Sequence, residues 1–587
     1  MSYTGRLSPA RVVSAARFLR DNSDMLNKLT SLLQGDKSNH PLGSTQNLDR
    51  TLSEIPLSDP NRVLLDVAIL IEEPSRYDTE LTPAALRQAA LHIDEFARPA
   101  YSELLLAYLL PGTRWHASEV AWSALDRHNQ LMFEIYEHSL LTALRGNEDL
   151  SRAKMQLALC STRAMQAWVE RKKLGHFRYR PPDIEWWLAA HKLVGLASQH
   201  GVISLVQTIY PDESQTRSTI HAYLAGLYLE IAPVSNLVSV QLEALHRWLL
   251  QNANTFEFAE APHAGTTHFI SLHNPGNPTR YTPNVIHTSA IRYCSTQRLR
   301  APLLQLAHQL RTEKAPEWLQ PLLPQKASID KLMQTLMRHW TDQPPERSSP
   351  RQEDTAPMRV VHGFSIARRM IACSAFAKRG KSLNYRGTDM ANMFNELRFG
   401  NSARPVGSVA DDPQVDPMET LLKLETSGDK QMMDEWLKVD SSASGIGAAI
   451  PGLRAKNRIG ELIGFRIEGN IDWRIGIIRR IGRDKQKRVS VGIETLAYPS
   501  VCAQVRPNNV ELTVWNDASE AGNGYVDAIL IEAGGDTLLL MPGLFVAELS
   551  VNLLVDGKHR DIILTEKLDH GNDWERIRFR EAEQEPK

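Results

Sequence analysis

The spacing of apolar residues changes once along the chain. Up to about residue 325, apolar side chains recur every three or four positions, which is the period of a helix with one buried face. In "SALDRHNQLMFEIYEHSLLTAL" this stripe consists of Leu125, Met132, Ile135, Tyr136 and Leu140. Since the pattern gives pairs of helices without a fixed repeat length, residues 1–325 are predicted to form an all-α bundle or array.

The helical period breaks between Glu260 and Asn284, where the sequence predicts a long loop or a small hairpin. It resumes in "ASIDKLMQTLMRHW" and is followed by the polar, proline-rich segment "TDQPPERSSPRQEDTAP". We therefore predict that residues 326–352 form a helix and a linker, and that the main domain boundary lies there.

Beyond this linker the apolar period becomes two. The segments "MRVVHGF", "WLKVD", "GIGAAIP", "LIGFRIEG", "DWRIGIIRRI" and "RVSVGIETL" are short, rich in β-branched residues and separated by turn formers. They predict an antiparallel β-barrel over residues 353–515, with an insert at about 365–432. Residues 516–587 are predicted to form a C-terminal β-rich extension or a second small barrel, so the expected fold class is multidomain α+β.

Composition narrows the classes of partner. The 587 residues are 42% hydrophobic and 23% charged, with a formal net charge of −1, so no global charge steers the chain to nucleic acid. The N-terminal segment lacks the apolar core of a secretory signal, and no stretch has the ~18 apolar residues that a membrane span requires. Four widely spaced cysteines suggest neither a zinc ribbon nor a disulfide framework. We expect a cytoplasmic protein without a membrane span.

Two short motifs could carry binding chemistry. "WLKVDSSASGIGAAIP" contains Asp440-x-Ser442-x-x-Gly445, which is either an ordinary turn between strands or a carboxylate, a hydroxyl and a glycine presented at a barrel rim. "ERSSPRQED" places Arg347 and Arg351 four residues apart, directly before the first barrel strand. Two guanidinium groups on one arm can bind phosphates and the O6/N7 edge of guanine. The same spacing recurs at Arg454 and Arg458, after the turn.

Taken together, the arginine pair, the Asp/Ser/Gly turn and the late strand "VGIETL" resemble the PilZ domain, over about residues 345 to 515. The resemblance implies a six-stranded barrel of a bacterial cyclic di-GMP receptor. It also implies that Arg347 and Arg351 form an arm over the barrel mouth, and that Asp440, Ser442 and Gly445 form the rim that holds the dinucleotide. The helical half resembles no family that we can name from its residues.

The remaining sequence offers alternatives. His263, His268 and His273 could ligate a metal, although a five-residue step suits neither a helix face nor a strand face. Arg479 or Arg480 could add a phosphate contact, or could line a solvated strand face. Catalytic motifs such as a Walker loop or GxSxG are missing from the sequence, so we predict neither an enzyme nor a cofactor.

The favoured hypothesis is a cyclic di-GMP receptor that acts on a protein partner through its helical domain. The alternative is a scaffold protein whose degenerate PilZ-like barrel binds no nucleotide. A metal-dependent activity at the three histidines is a third possibility.

Overall fold

The computed structural model describes most of the chain in two compact units. The described residues are 42, 45–72, 81–145, 149–211, 215–312, 314–341, 350–378, 418, 421–422, 433–454, 456–483, 488–496, 499–508, 515, 525–531 and 536–582. We call the two units the helical unit, Met1–Val234 with Ser239–Pro345, and the barrel unit, Ser235–Val238 with Glu346–Lys587. The expected multidomain α+β fold is confirmed.

The helical unit contains the predicted array of α-helices. Leu125, Met132, Ile135, Tyr136 and Leu140 are all buried, so the apolar stripe of one helix faces the core as predicted. None of the described helices is long and apolar enough to cross a bilayer. The helices are α1 Thr45–Ser53, α2 Pro60–Glu72, α3 Pro83–Leu109, α4 Glu119–Arg145, α5 Leu150–Phe177, α6 Ile184–Gln199, α7 Thr219–Ile231, α8 Ser239–Gln251, α9 Arg300–Thr312 and α10 Lys326–His339.

Side-chain caps and two small sheets complete this unit. The hydroxyl of Thr82 accepts from the backbone N–H of Ala85 at the start of α3, which satisfies one of the free donors of the first turn. The break predicted near Glu260 contains part of a three-stranded sheet in the order β4-β3-β5. The strands are β1 Gln207–Thr208, β2 Thr216–Arg217, β3 His268–Ser271, β4 Thr279–Arg280 and β5 Ile291–Cys294.

The barrel unit begins with a closed antiparallel barrel, which we call the first barrel. Around the barrel the strands follow the order β6-β7-β8-β11-β10-β9, and β9 pairs with β6 to close it. The six strands are β6 Gln352–His362, β7 Met433–Ser442, β8 Gly445–Ile450, β9 Leu462–Ile467, β10 Arg474–Arg483 and β11 Val489–Thr495.

The remaining strands form a second closed barrel, so of the two alternatives for the C-terminal segment the structure selects a barrel. The predicted boundary at residue 516 is wrong, because Ser500–Pro507 pairs with strands of the second barrel. Numbered within each barrel, both follow the strand order 1-2-3-6-5-4. The strands are β12 Ser500–Pro507, β13 Val526–Ile531, β14 Thr537–Leu540, β15 Leu549–Val555, β16 Lys558–His570 and β17 Glu575–Glu581.

A helix inside the predicted insert packs between the two barrels. This helix, α11 (Phe364–Lys378), follows β6 directly, and its buried residues join one core with side chains of both barrels. Its Arg368 bonds to the second barrel, donating to the carbonyls of Ala503 and Ala528, both at 3.3 Å. The insert is therefore partly a structural element that fixes one barrel against the other.

Candidate functional site

Four strand ends meet at one rim of the first barrel. The start of β6 pairs with the end of β7, with Glu353 opposite Asp440, and β7 turns into β8 with Ser442 opposite Gly445. Gly445 in turn lies opposite Glu494 near the end of β11. The arginine motif before β6 and the Asp440/Ser442/Gly445 motif, at the end of β7 and the start of β8, therefore lie at the same edge, which we call the rim site.

Arg351 contacts Asp440 at this rim. The Nη1 atom of Arg351 donates to Oδ2 of Asp440 over 2.6 Å, and both side chains are partly exposed. A bulge in β6 between Glu353 and Ala356 shifts the register just beyond this contact. Arg351 of the arm and Asp440 of the rim are thus in contact despite the insert between β6 and β7.

The Ser442–Gly445 turn is a tight β-connection. The hydroxyl of Ser442 donates to the carbonyl of Gly445 over 3.3 Å. Gly445 does not have a positive φ, so its backbone torsion does not require a glycine. A Cβ at this position would lie 2.6 Å from the carbonyl oxygen of Ile493, so glycine is needed because β8 approaches β11 closely.

Gly447 is a rim residue that sequence reasoning missed. A Cβ on Gly447 would lie 2.4 Å from Oδ1 of Asp440, so this glycine makes room for the carboxylate. That same Oδ1 atom is buried and has no hydrogen-bond partner among the described residues. A buried acceptor without a donor is costly, so a ligand N–H that reached it would gain more than an ordinary surface contact.

The end of β11 anchors the turn. The backbone N–H of Thr495 donates to the carbonyl of Ser444 over 3.1 Å, so the late strand "VGIETL" supports the rim directly. Glu494, beside Gly445, accepts from Nε of Arg479 over 2.5 Å. Arg479 also binds Asp569 of the second barrel, so its guanidinium is engaged by two carboxylates rather than presented as a phosphate contact.

Arg351 and Arg454, one residue from each arginine pair, lie at opposite ends of β7. Arg351 reaches the rim, whereas Arg454 donates to Asp434 over 2.6 Å at the other end of β7. Arg347 lies outside the described residues.

The three histidines do not form a metal site among the described residues. His263 pairs with Glu257, and Nδ1 of His268 lies 3.0 Å from the hydroxyl of Thr267. Burial, together with the nearby Arg280, lowers the pKa of His268 to about 4. In the described part of the chain, the side chains close enough to share a metal ion are instead Glu170, Glu243 and His246 of the helical unit.

Comparison with known families gives an independent result for the helical unit. Residues 46–263 match the family model described as cyclic-di-GMP receptor FimW, N-terminal domain. The matched region runs from α1 to the loop before β3 and includes none of the barrel strands. No curated protein matches the chain. The helical unit is thus similar to the N-terminal domain of a cyclic di-GMP receptor.

Proposed function

We propose that this protein is a cyclic di-GMP receptor that binds the dinucleotide at the rim site of a PilZ-like first barrel. The observation that carries the proposal is the contact between Arg351 and Asp440, because it unites the arginine arm with the Asp/Ser/Gly motif. The similarity of residues 46–263 to a cyclic di-GMP receptor domain supports it from the other half of the chain.

The rim offers complementary groups to each part of the ligand. Guanine carries donors at N1 and at its exocyclic amine, and the carboxylate of Asp440 can accept from both. The guanidinium groups of Arg351 and Arg347 suit the phosphates and the O6/N7 edge. The Ser442 hydroxyl lies on the same turn and can contact a phosphate.

Binding would exchange one ion pair for two ligand contacts. Arg351 would turn from Asp440 to a phosphate, and a guanine would take its place on the carboxylate of Asp440, so neither charge is left without a partner. Arg351 lies near the start of the barrel unit, a few residues after its boundary with the helical unit, and we infer that this exchange would pass ligand binding to the helical unit. That unit would then act on a protein partner. The ligand can change which conformation the arm adopts only if it binds one conformation more tightly than the other.

Titration calorimetry with two dinucleotides tests the proposal. Cyclic di-GMP and cyclic di-AMP share the phosphate ring, but adenine lacks the N1–H and the 2-amino group that Asp440 would recognise. We expect micromolar binding of cyclic di-GMP and much weaker binding of cyclic di-AMP. The absence of heat with cyclic di-GMP would refute the receptor function and favour a scaffold protein with a degenerate barrel.

A further inference from the structure

The helical unit contains a cavity of its own, separate from the rim site. It has a volume of about 580 Å³ and is lined by residues of α3, α4, α5 and α8 and by the segment around Tyr210. Pockets for small ligands span roughly 300–1,000 Å³. The cavity is therefore large enough for a molecule the size of a nucleoside monophosphate.

One side of the cavity is a buried charge cluster. The ammonium of Lys173 lies 2.6 Å from Glu170, contacts Glu243 and lies 3.3 Å from Nδ1 of His246. Burial opposes ionisation of Lys173, but Glu170 and Glu243 outweigh it and raise its pKa. Lys173 thus supplies, beside Glu170, Glu243 and His246, the positive charge that a bound metal ion would supply. The carboxylates of the cluster are therefore paired with a cationic side chain of the protein.

Arginine side chains also line the cavity. The guanidinium of Arg98 lies over the ring of Tyr210, 3.6 Å from its centroid, and Arg163 lies over the same ring at 4.3 Å. Arg247 also lines the cavity; its guanidinium donates to Glu243 over 2.6 Å and to the carbonyl of Trp318 over 3.0 Å. Arg98 and Arg247 thus place two guanidinium groups on the cavity wall, and such groups form charged hydrogen bonds with anions.

The nearby carboxylate of Asp94 is already bound within the protein. Its Oδ2 atom accepts from the hydroxyls of Tyr136, at 2.8 Å, and Tyr210, at 3.1 Å, and lies 3.5 Å from Arg163. Asp94, Glu170 and Glu243 on the cavity wall thus all make contacts with side chains of the protein itself.

Two buried polar atoms on the cavity wall need partners. The Oε1 atom of Gln166 and the Nδ1 atom of His128 have no hydrogen-bond partner among the described residues. His128 is only 4% exposed, and burial lowers its pKa despite the nearby Asp94, so it is neutral near pH 7. Leaving such groups unsatisfied is costly; a ligand N–H or O–H would satisfy Gln166, and a polar ligand group of either kind would satisfy His128, according to its tautomer.

We propose that this cavity binds a small anionic molecule of about the size of a nucleoside monophosphate. Its anionic group faces Arg98 and Arg247, a hydrogen-bond donor faces Gln166, and a further polar group faces His128. All of these residues belong to the helical unit, so this second ligand site does not depend on the rim site.

Titration calorimetry of the full chain with GMP, ribose 5-phosphate and inorganic phosphate tests this site. We expect GMP to bind. Binding of ribose 5-phosphate as well would support the site and show that the sugar phosphate suffices, whereas binding of GMP alone would show that the base is recognised. No heat with any of the three at millimolar concentration would overturn the proposal.

Substitutions of cavity residues test where GMP binds. Arg98→Ala should weaken GMP about tenfold through loss of a charged contact, and Gln166→Leu about fivefold through loss of a neutral hydrogen bond. Arg152→Ala, which removes an exposed arginine at the start of α5, is the matched control and should leave GMP affinity unchanged.

Since a substitution can disturb folding, hydrogen exchange tests the same location in the unaltered chain. Addition of GMP should protect the backbone amides of α3 and α8 from exchange. Unchanged exchange in both helices would contradict the proposal.

Arg351→Ala separates this site from the rim site. The variant should lose affinity for cyclic di-GMP and keep its affinity for GMP. GMP binding that disappears in Arg351→Ala and persists in Arg98→Ala would place GMP at the barrel and overturn the cavity site, while leaving the receptor function standing.

Discussion

Arg351 Nη1 and Asp440 Oδ2 are 2.6 Å apart although 89 positions separate the two residues in the chain. Partly exposed ion pairs contribute less than about 1 kcal/mol to stability, so the fold itself has little need of this contact. The contact instead positions the guanidinium of Arg351 beside the carboxylate of Asp440 and the turn that carries the hydroxyl of Ser442.

Arg351→Ala should therefore weaken cyclic di-GMP binding and leave the fold intact. Loss of charged hydrogen bonds worth ~1.5–3 kcal/mol corresponds to roughly 10- to 100-fold in affinity. Calorimetry measures the affinity, and thermal unfolding checks the fold. Arg560→Ala, which removes an exposed arginine of the second barrel, is the control. Equal affinity in Arg351→Ala and the unaltered protein would show that this arginine is not a ligand contact.

Gly447→Ala should impair the same site without touching a charged residue. The added Cβ would lie 2.4 Å from Oδ1 of Asp440, so the carboxylate must turn away from its position at the rim. We expect cyclic di-GMP affinity to fall about 5- to 30-fold, the equivalent of ~1–2 kcal/mol. Gly452→Ala is the matched control, two residues beyond the far end of β8, where a Cβ meets no atom within 4 Å. If both variants bind equally well, the orientation of Asp440 is irrelevant to binding.

Arg368→Met should destabilise the barrel unit. The guanidinium is buried, bonds to the carbonyls of Ala503 and Ala528 and lies 3.1 Å from Asp527, so its removal leaves several groups without a partner. The expected loss in free energy of unfolding is about 2–4 kcal/mol, measured by denaturant titration. Arg369→Met is the control, because Arg369 is exposed on the same helix. A similar unfolding midpoint for both variants would refute the role of Arg368 in joining the barrels.

Glu461 should make the stability of the barrel unit depend on pH. Burial, reinforced by Asp573 and opposed by Arg458, raises the pKa of Glu461 from 4.5 to about 7. The folded protein therefore keeps a proton that the unfolded chain releases near pH 4.5. The stability gained from this group is full below that pH, declines as pH rises to about 7 and is lost above it.

Replacing Glu461 by glutamine removes this titration. The unfolding temperature of the Glu461→Gln variant should fall less than that of the unaltered protein between about pH 5 and about pH 8. Glu435→Gln, an exposed position on β7, should follow the unaltered protein. Parallel pH profiles for Glu461→Gln and the unaltered protein would contradict the raised pKa.

Local patterns predicted the elements well. The helical stripe of α4 and the alternating strands of the first barrel are visible in the sequence because burial repeats with the period of each element. The turn after β7 was also visible, since Asp440, Ser442 and Gly445 lie within six residues. Only the structure shows that Arg351 returns to that turn, because the insert separates them in sequence.

Pairing between distant segments could not be predicted. The alternation in Ser500–Pro507 indicates a strand but not its partners, so the strand was assigned to the wrong barrel. Gly447 looked like any strand glycine, since its role depends on the side chain of Asp440 on the neighbouring strand. The cluster of Lys173, Glu243 and His246 joins two helices whose residues lie about seventy positions apart, and no short motif records it.

Closure of both barrels limits how a partner can bind to them. Each described strand in either barrel is paired on both sides, so these strands offer no free edge to which an extended peptide could add as a further strand. A protein that recognises the described barrel strands must therefore contact their side chains and turns. The same closure protects twelve neighbouring strands from pairing between molecules, which is a common route to aggregation in β-rich chains.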